Sequence, residues 1–107
     1  MTTNLQASMS GVDRLLHEPA RLMIVTILYP LEQSDFLYLL RETGLTKGNL
    51  SAHLIKLEEA AYIEIEKAFR GKVPMTLIKL TPSGRTAFMD YRNKLKEIME
   101  QITPKEK

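Results

Sequence analysis

Lys47, Asn49, Ser51, His53 and Lys56 gather cationic and hydrogen-bonding side chains into one short stretch, and no acid interrupts them before Glu58. Such groups suit nucleic acid. An amide pairs bidentately with adenine, an ammonium reaches guanine or phosphate, and hydroxyl or imidazole donors clamp phosphates without reading sequence. The same stretch carries Leu50, Leu54 and Leu57 at helical spacing, so one side of a helix must be buried and the other is left to meet a partner. Thr46 places a capping hydroxyl at the start of that helix. Gly48 and Ala52 keep its open side low, which lets a groove come close.

These side chains need a frame, and the rest of the chain supplies one. Ser34 is placed to cap a short helix whose Phe36, Leu39 and Leu40 form a buried stripe, and Gly44 tolerates the left-handed turn that follows. With the Thr46 helix this makes a helix-turn-helix. Upstream, Pro19 suits a first helical turn, Ala20 to Tyr29 follows, and Pro30 stops it. Before it, Leu5, Met9, Val12 and Leu16 space an amphipathic helix over Asn4 to His17. Downstream, Tyr62 to Lys67 alternates apolar and polar as a half-buried strand, Arg70-Gly71-Lys72 turns the chain, and a second strand returns over Pro74 to Leu80. Thr76, Ile78 and Leu80 share one face of that strand and Met75, Leu77 and Lys79 the other, and the pattern leaves open which is covered.

Thr81-Pro82-Ser83 starts a final helix that runs to about Ile102, with Pro104 at its end and Lys105 to Lys107 as a tail. Phe88, Tyr91, Leu95, Ile98 and Ile102 recur along it as a coiled-coil-like seam. Against packing on the chain's own core, self-association is the favoured reading. Leu5, Met9 and Val12 then join Phe88, Tyr91, Leu95, Ile98 and Ile102 as the dimerisation set.

At 107 residues the chain forms one domain. It has no cysteine, which removes disulfides, thiol redox chemistry and cysteine-ligated zinc, and its two histidines, His17 and His53, are far apart. No metal or other cofactor is expected. Neither histidine has a nucleophile beside it in sequence and no glycine-rich phosphate loop occurs, so catalysis is not expected either. The longest apolar stretch, Leu22 to Tyr29, is far short of the ~20 residues that cross a bilayer, and a soluble, cytoplasmic protein without membrane contact is expected. A net charge of +2 says little by itself. Its distribution says more, because Lys67, Arg70, Lys72 and Lys79 follow one another without an intervening acid.

The order helix, helix, helix, strand, basic turn, strand, long helix resembles prokaryotic transcriptional regulators of the MarR-like and ArsR-like winged-helix groups. Four strings carry the resemblance: Glu18-Pro19-Ala20-Arg21-Leu22, Leu45-Thr46 through Ser51-Ala52-His53-Leu54, Leu57-Glu58-Glu59-Ala60, and Leu80-Thr81-Pro82-Ser83-Gly84. It implies a mainly α fold with a small β-hairpin, a winged helix-turn-helix with a long C-terminal helix. The core would span 18–84, with 4–17 and 82–102 as helical dimerisation elements. It further implies that Thr46, Lys47, Asn49, Ser51, His53 and Lys56 face double-stranded DNA, with Arg70 and Lys72 at the wing tip. The partner would be an inverted-repeat operator bound by a homodimer. The groups it resembles often add a small-molecule effector, which nothing in this sequence identifies. The alternative is a winged helix used as a protein-interaction module, a reading kept alive by Met75 and Leu77 where relatives often carry arginines. Ala61 stands where many relatives have glycine, so the chain there either continues the helix or turns left-handed. The metal ligands of metal-sensing ArsR-like proteins are missing.

Overall fold

The computed structural model describes residues 5–102; Asn4, Pro104 and the Lys105–Lys107 tail lie outside them. The elements are α1 (Leu5–Ser10), α2 (Pro19–Leu28), β1 (Ser34–Asp35), α3 (Phe36–Thr43), α4 (Lys47–Glu59), β2 (Ile63–Arg70), β3 (Val73–Leu80) and α5 (Pro82–Ile102). The strands form an antiparallel sheet in the order β1-β3-β2. One core joins α2, α3, α4, α5 and the base of the sheet through Ile24, Val25, Leu28, Leu39, Leu50, Leu57, Ile63, Ile78 and Tyr91.

The helix expected over Asn4 to His17 breaks after Ser10. Gly11 disfavours its continuation, and the Asp13 carboxylate accepts the Leu16 N–H at 3.1 Å, so a separate turn forms that tucks Val12 and Leu16 into the core. The cap of α3 also moves by one residue. Ser34 is drawn into a bridge with Ile78, and Asp35 accepts the Tyr38 N–H at 2.7 Å in its place. The other caps stand where the sequence puts them. Thr46 accepts from Asn49 N at 3.1 Å, and Gly44 ends α3 at φ 70°.

Pairing of Ile63 with Leu80 and of Ile65 with Ile78 puts these residues on the covered face of the wing, which resolves the choice left by the pattern. Met75, Leu77 and Lys79 take the outer face. Gly71, at φ 64°, makes the two-residue connection between Arg70 and Val73.

Ala61 takes the left-handed option at φ 63°. Its N–H donates to Glu58 O at 2.9 Å and that of Tyr62 to Leu57 O at 2.9 Å, the paired bonds of a Schellman end. A Cβ there is strained, so Ala61→Gly should stabilise the fold by about 1 kcal/mol. A chemical-denaturation midpoint that falls in the variant would contradict this geometry.

The Tyr62 hydroxyl donates to Asp13 Oδ2 at 2.5 Å, tying the exit of α4 to the turn before α2. Burial and the adjoining carboxylate push this phenol from its ordinary 10.0 up to about 12. The folded chain therefore holds the proton more tightly than the unfolded one. The resulting stabilisation is full below about pH 10 and is lost as pH rises from there to about 12. Over that window the denaturation midpoint of the wild type should fall more steeply than that of Tyr62→Phe. Parallel profiles would exclude this linkage.

The α5 helix is fixed at its start by Thr81, whose hydroxyl donates to Ala61 O at 2.6 Å and accepts the Gly84 N–H at 2.9 Å. One turn on, Arg85 donates to Tyr29 O at 2.8 Å and Leu31 O at 3.2 Å, closing the exposed carbonyl end of α2.

The residues expected at an interface between copies divide. Tyr91 and Ile98 are only 4% and 7% exposed and Val12 is also buried, so these three serve the chain's own core. Phe88 packs on Tyr29 with ring centroids 5.0 Å apart. The α1 helix lies along the end of α5, where Ser8 and Gln101 are 3.4 Å apart. A seam repeat looks the same whether the cover is the chain itself or a second copy, and here the chain supplies part of it. Leu5, Met9 and Ile102 remain exposed and Leu95 is half-buried.

Candidate nucleic-acid interface

The inward direction of α4 is set by Leu50, Leu54 and Leu57, all buried. At 100° per residue the opposite side is Gly48, Ala52, Ile55, Lys56 and Glu59, all of them exposed. Lys56 aside, which is on that ridge, the polar residues of α4 singled out from sequence stand on its two flanks. Lys47 and Ser51 lie toward the wing, and Asn49 and His53 lie toward α2. Lys47, Asn49 and Lys56 are exposed, whereas Ser51 and His53 are half-buried. Thr46 is exposed too, and its hydroxyl oxygen is engaged as the cap of the helix.

On the wing side, Ser51 and Ile55 join Phe36, Ile65, Lys67 and Thr76 around a cleft of about 350 Å³ between α4 and the sheet. Lys67 Nζ donates to Thr76 Oγ1 at 3.1 Å, which holds an ammonium at the cleft margin. Beyond it, Arg70 and Lys72 are exposed at the hairpin tip. Lys79 is different. The register places it opposite Glu64, and the two pair at 3.6 Å, so the basic run read from sequence is neutralised at the base of the wing and stays basic toward the tip. Both partners are more than half exposed, and such a pair adds little stability.

On the α2 side, Arg21 Nη1 lies 3.1 Å from His53 Nδ1, and Arg21 Nε donates to Leu15 O at 2.6 Å. The Glu18 carboxylate accepts the Arg21 N–H at 2.8 Å. That bond holds its carboxyl below the usual range, and the charge of Arg21 acts in the same direction. Sequence reasoning missed Arg21, Ile55 and Thr76 as members of this surface. A rotation count from Leu50 would have found Ile55. Arg21 and Thr76 reach the surface only through tertiary packing, and no local signal marks them.

Among the described residues no group of three His, Asp or Glu side chains comes together to hold a metal, and no helix is long and apolar enough to cross a membrane. A second cleft, of about 390 Å³, lies between α2 and α5 and is lined mainly by apolar atoms of Leu22, Phe88, Tyr91, Leu95 and Met99, with Arg92 and Lys96 at its margin.

A family model described as a winged helix DNA-binding domain matches residues 20–99. An uncharacterized protein of Methanocaldococcus jannaschii is 38% identical over 90 residues, covering 83% of this chain and 97% of that protein. Among solved structures, a transcriptional regulator homologue from Pyrococcus horikoshii OT3 superposes with a TM-score of 0.83 at 25% identity, covering 94% of this chain and 97% of that one. A MarR-family transcriptional regulator from Silicibacter pomeroyi shares the fold at a TM-score of 0.64 and 19% identity, covering 94% and 67%. NadR, solved in complex with 4-hydroxyphenylacetate, does so at 0.66 and 20%, covering 91% and 71%.

Proposed function

We propose that this chain, which belongs to the winged helix DNA-binding domain family, is a sequence-specific transcriptional regulator that binds double-stranded DNA as a homodimer. The observation that carries the reading is the open side of α4: it is free of acid from Lys47 to Lys56, low at Gly48 and Ala52, and flanked by hydrogen-bonding side chains on both sides. Such a ridge enters a major groove. Asn49 suits adenine, Lys47 and Lys56 suit guanine or phosphate, and Ser51, His53 and Thr46 suit phosphate. Arg70 and Lys72 then reach the adjacent minor groove or its backbone.

Two copies would join through Leu5, Met9, Leu95 and Ile102, the apolar side chains that α1 and α5 leave at least partly open. A two-fold dimer presents its recognition helices to successive major grooves about 34 Å apart, so the preferred site is an inverted repeat. The cleft between α2 and α5 is the seat we assign to a small organic effector. Its apolar lining and its margin of Arg92 and Lys96 suit an aromatic or aliphatic anion.

A second reading, a protein-interaction module, is favoured by one feature. Phe69 and Leu37 are 70% and 68% exposed on the wing and α3, more apolar surface than phosphate contact requires. Fluorescence anisotropy with a duplex across a salt series separates the two. Under the DNA reading, the double variant Arg70→Ala, His53→Ala loses about 30-fold in affinity, or ~2 kcal/mol. The slope of log affinity against log salt also becomes shallower by about 1 for the lost Arg70 phosphate contact. Unchanged affinity and slope would leave the interaction module as the reading to pursue.

A further inference from the structure

We propose that Arg21 is a positioning residue for His53, holding its imidazole as the neutral tautomer with the proton on Nε2, so that α4 offers a hydrogen-bond donor at this position and never an acceptor. The consequence for DNA rests on the reading of α4 given above; the cause rests on geometry alone.

A guanidinium carries five N–H donors, has no acceptor, and does not lose its proton in proteins. Arg21 Nη1 stands 3.1 Å from His53 Nδ1. A proton on Nδ1 would set two donors against each other at that distance, so Nδ1 accepts and the ring proton sits on Nε2. Arg21 is held in this role from two other directions. Its Nε donates to Leu15 O at 2.6 Å, and its backbone N–H is capped by Glu18 at 2.8 Å in the first turn of α2. Part of the guanidinium fork serves the turn before α2 and part serves α4, so the ring is braced against a segment more than thirty residues away in sequence.

The tautomer decides what His53 can bind. An Nε2–H matches a phosphate oxygen, N7 or O6 of guanine, N7 of adenine or O4 of thymine. It opposes the amino groups of cytosine and adenine. His53 therefore clamps phosphate or selects against an amino group, and it does so because of a residue outside the recognition helix.

Ring-nitrogen NMR of the 15N-histidine-labelled protein tests the cause without DNA. At neutral pH the wild type should show His53 Nδ1 as an unprotonated acceptor and Nε2 as protonated. Arg21→Met should draw the two signals toward tautomer-averaged positions, and Arg21→Lys, which keeps a donor, should largely restore the wild-type pattern. A wild-type Nδ1 that carries the proton, or an Arg21→Met spectrum identical to wild type, overturns the proposal even if either variant folds poorly, since the first result needs no variant. On a duplex, Arg21→Met and His53→Ala should each weaken binding by about tenfold, and the double variant should be little weaker than either. Losses that simply multiply would show that Arg21 does not act through His53. If the wild type binds no duplex, the functional reading fails, while the nitrogen spectra still decide whether Arg21 fixes the ring.

Discussion

Replacing Gly84 with alanine should lower the melting temperature by about 10–20 °C, although alanine is the better helix former. Gly84 lies in the first turn of α5, buried where that helix crosses the exit of α4. A Cβ built on it would fall 2.1 Å from Tyr62 O and 2.9 Å from Leu80 Cδ1. Tyr62 O is backbone, and it already accepts the Thr81 N–H at 3.0 Å, so it cannot swing aside without releasing the bond that seats α5. The propensity gain is about 1 kcal/mol, whereas overpacking that shifts backbone costs up to about 3 kcal/mol or more. Steric cost wins. Gly48 supplies the contrast, since its Cβ would meet nothing within 4 Å, and Gly48→Ala should raise the melting temperature by a few degrees, on the order of 0.5–1 kcal/mol. Thermal unfolding followed by circular dichroism reads both. A Gly84→Ala protein as stable as wild type would mean that α5 does not pack this closely on the exit of α4.

Ala52→Glu should abolish tight duplex binding while leaving the fold intact. Ala52 is exposed at the middle of α4, on the side opposite Leu50, Leu54 and Leu57, so no core contact is lost. The new carboxylate lies four residues before Lys56, a favourable helical pair, so the melting temperature should hold within about 2 °C. In a complex with α4 in the major groove, that same carboxylate would be desolvated beside the phosphates, and its pairing with Lys56 would draw that ammonium away from the DNA. Desolvating a charge against like charges costs enough to lower affinity at least about 100-fold, or ~2.7 kcal/mol. An affinity within a factor of about two of wild type would remove α4 from the DNA interface.

Much of this fold was legible because its signals are local. Thr46 and Thr81 cap helices wherever a hydroxyl precedes a helical run, the period of Leu50, Leu54 and Leu57 marks a buried side, and the alternation from Ile63 to Glu66 marks a strand. The strand Ser34–Asp35 was not legible, since two residues have no period and it exists only because β3 offers Leu77 and Ile78 an edge to pair with. The same holds for side chains whose partners are distant. Asp13 meets Tyr62, Arg21 meets His53 and Arg85 meets Tyr29, and none of these pairs has a spacing that a helix or strand would impose. On α4 the residue types suggested the chemistry, but Lys47, Asn49, Ser51 and His53 line the flanks of a ridge topped by Ala52, Ile55 and Lys56. Ala61 is instructive in another way. The sequence offered two exits from α4, and the paired bonds to Leu57 and Glu58 selected the strained one.

Selection of the purified protein against a random duplex pool at near-physiological salt tests binding, specificity and symmetry together. The expected result is enrichment of an inverted repeat whose half-site centres lie about 10–11 base pairs apart, the spacing of two α4 helices related by a two-fold axis. A pool that stays random through successive rounds would contradict it.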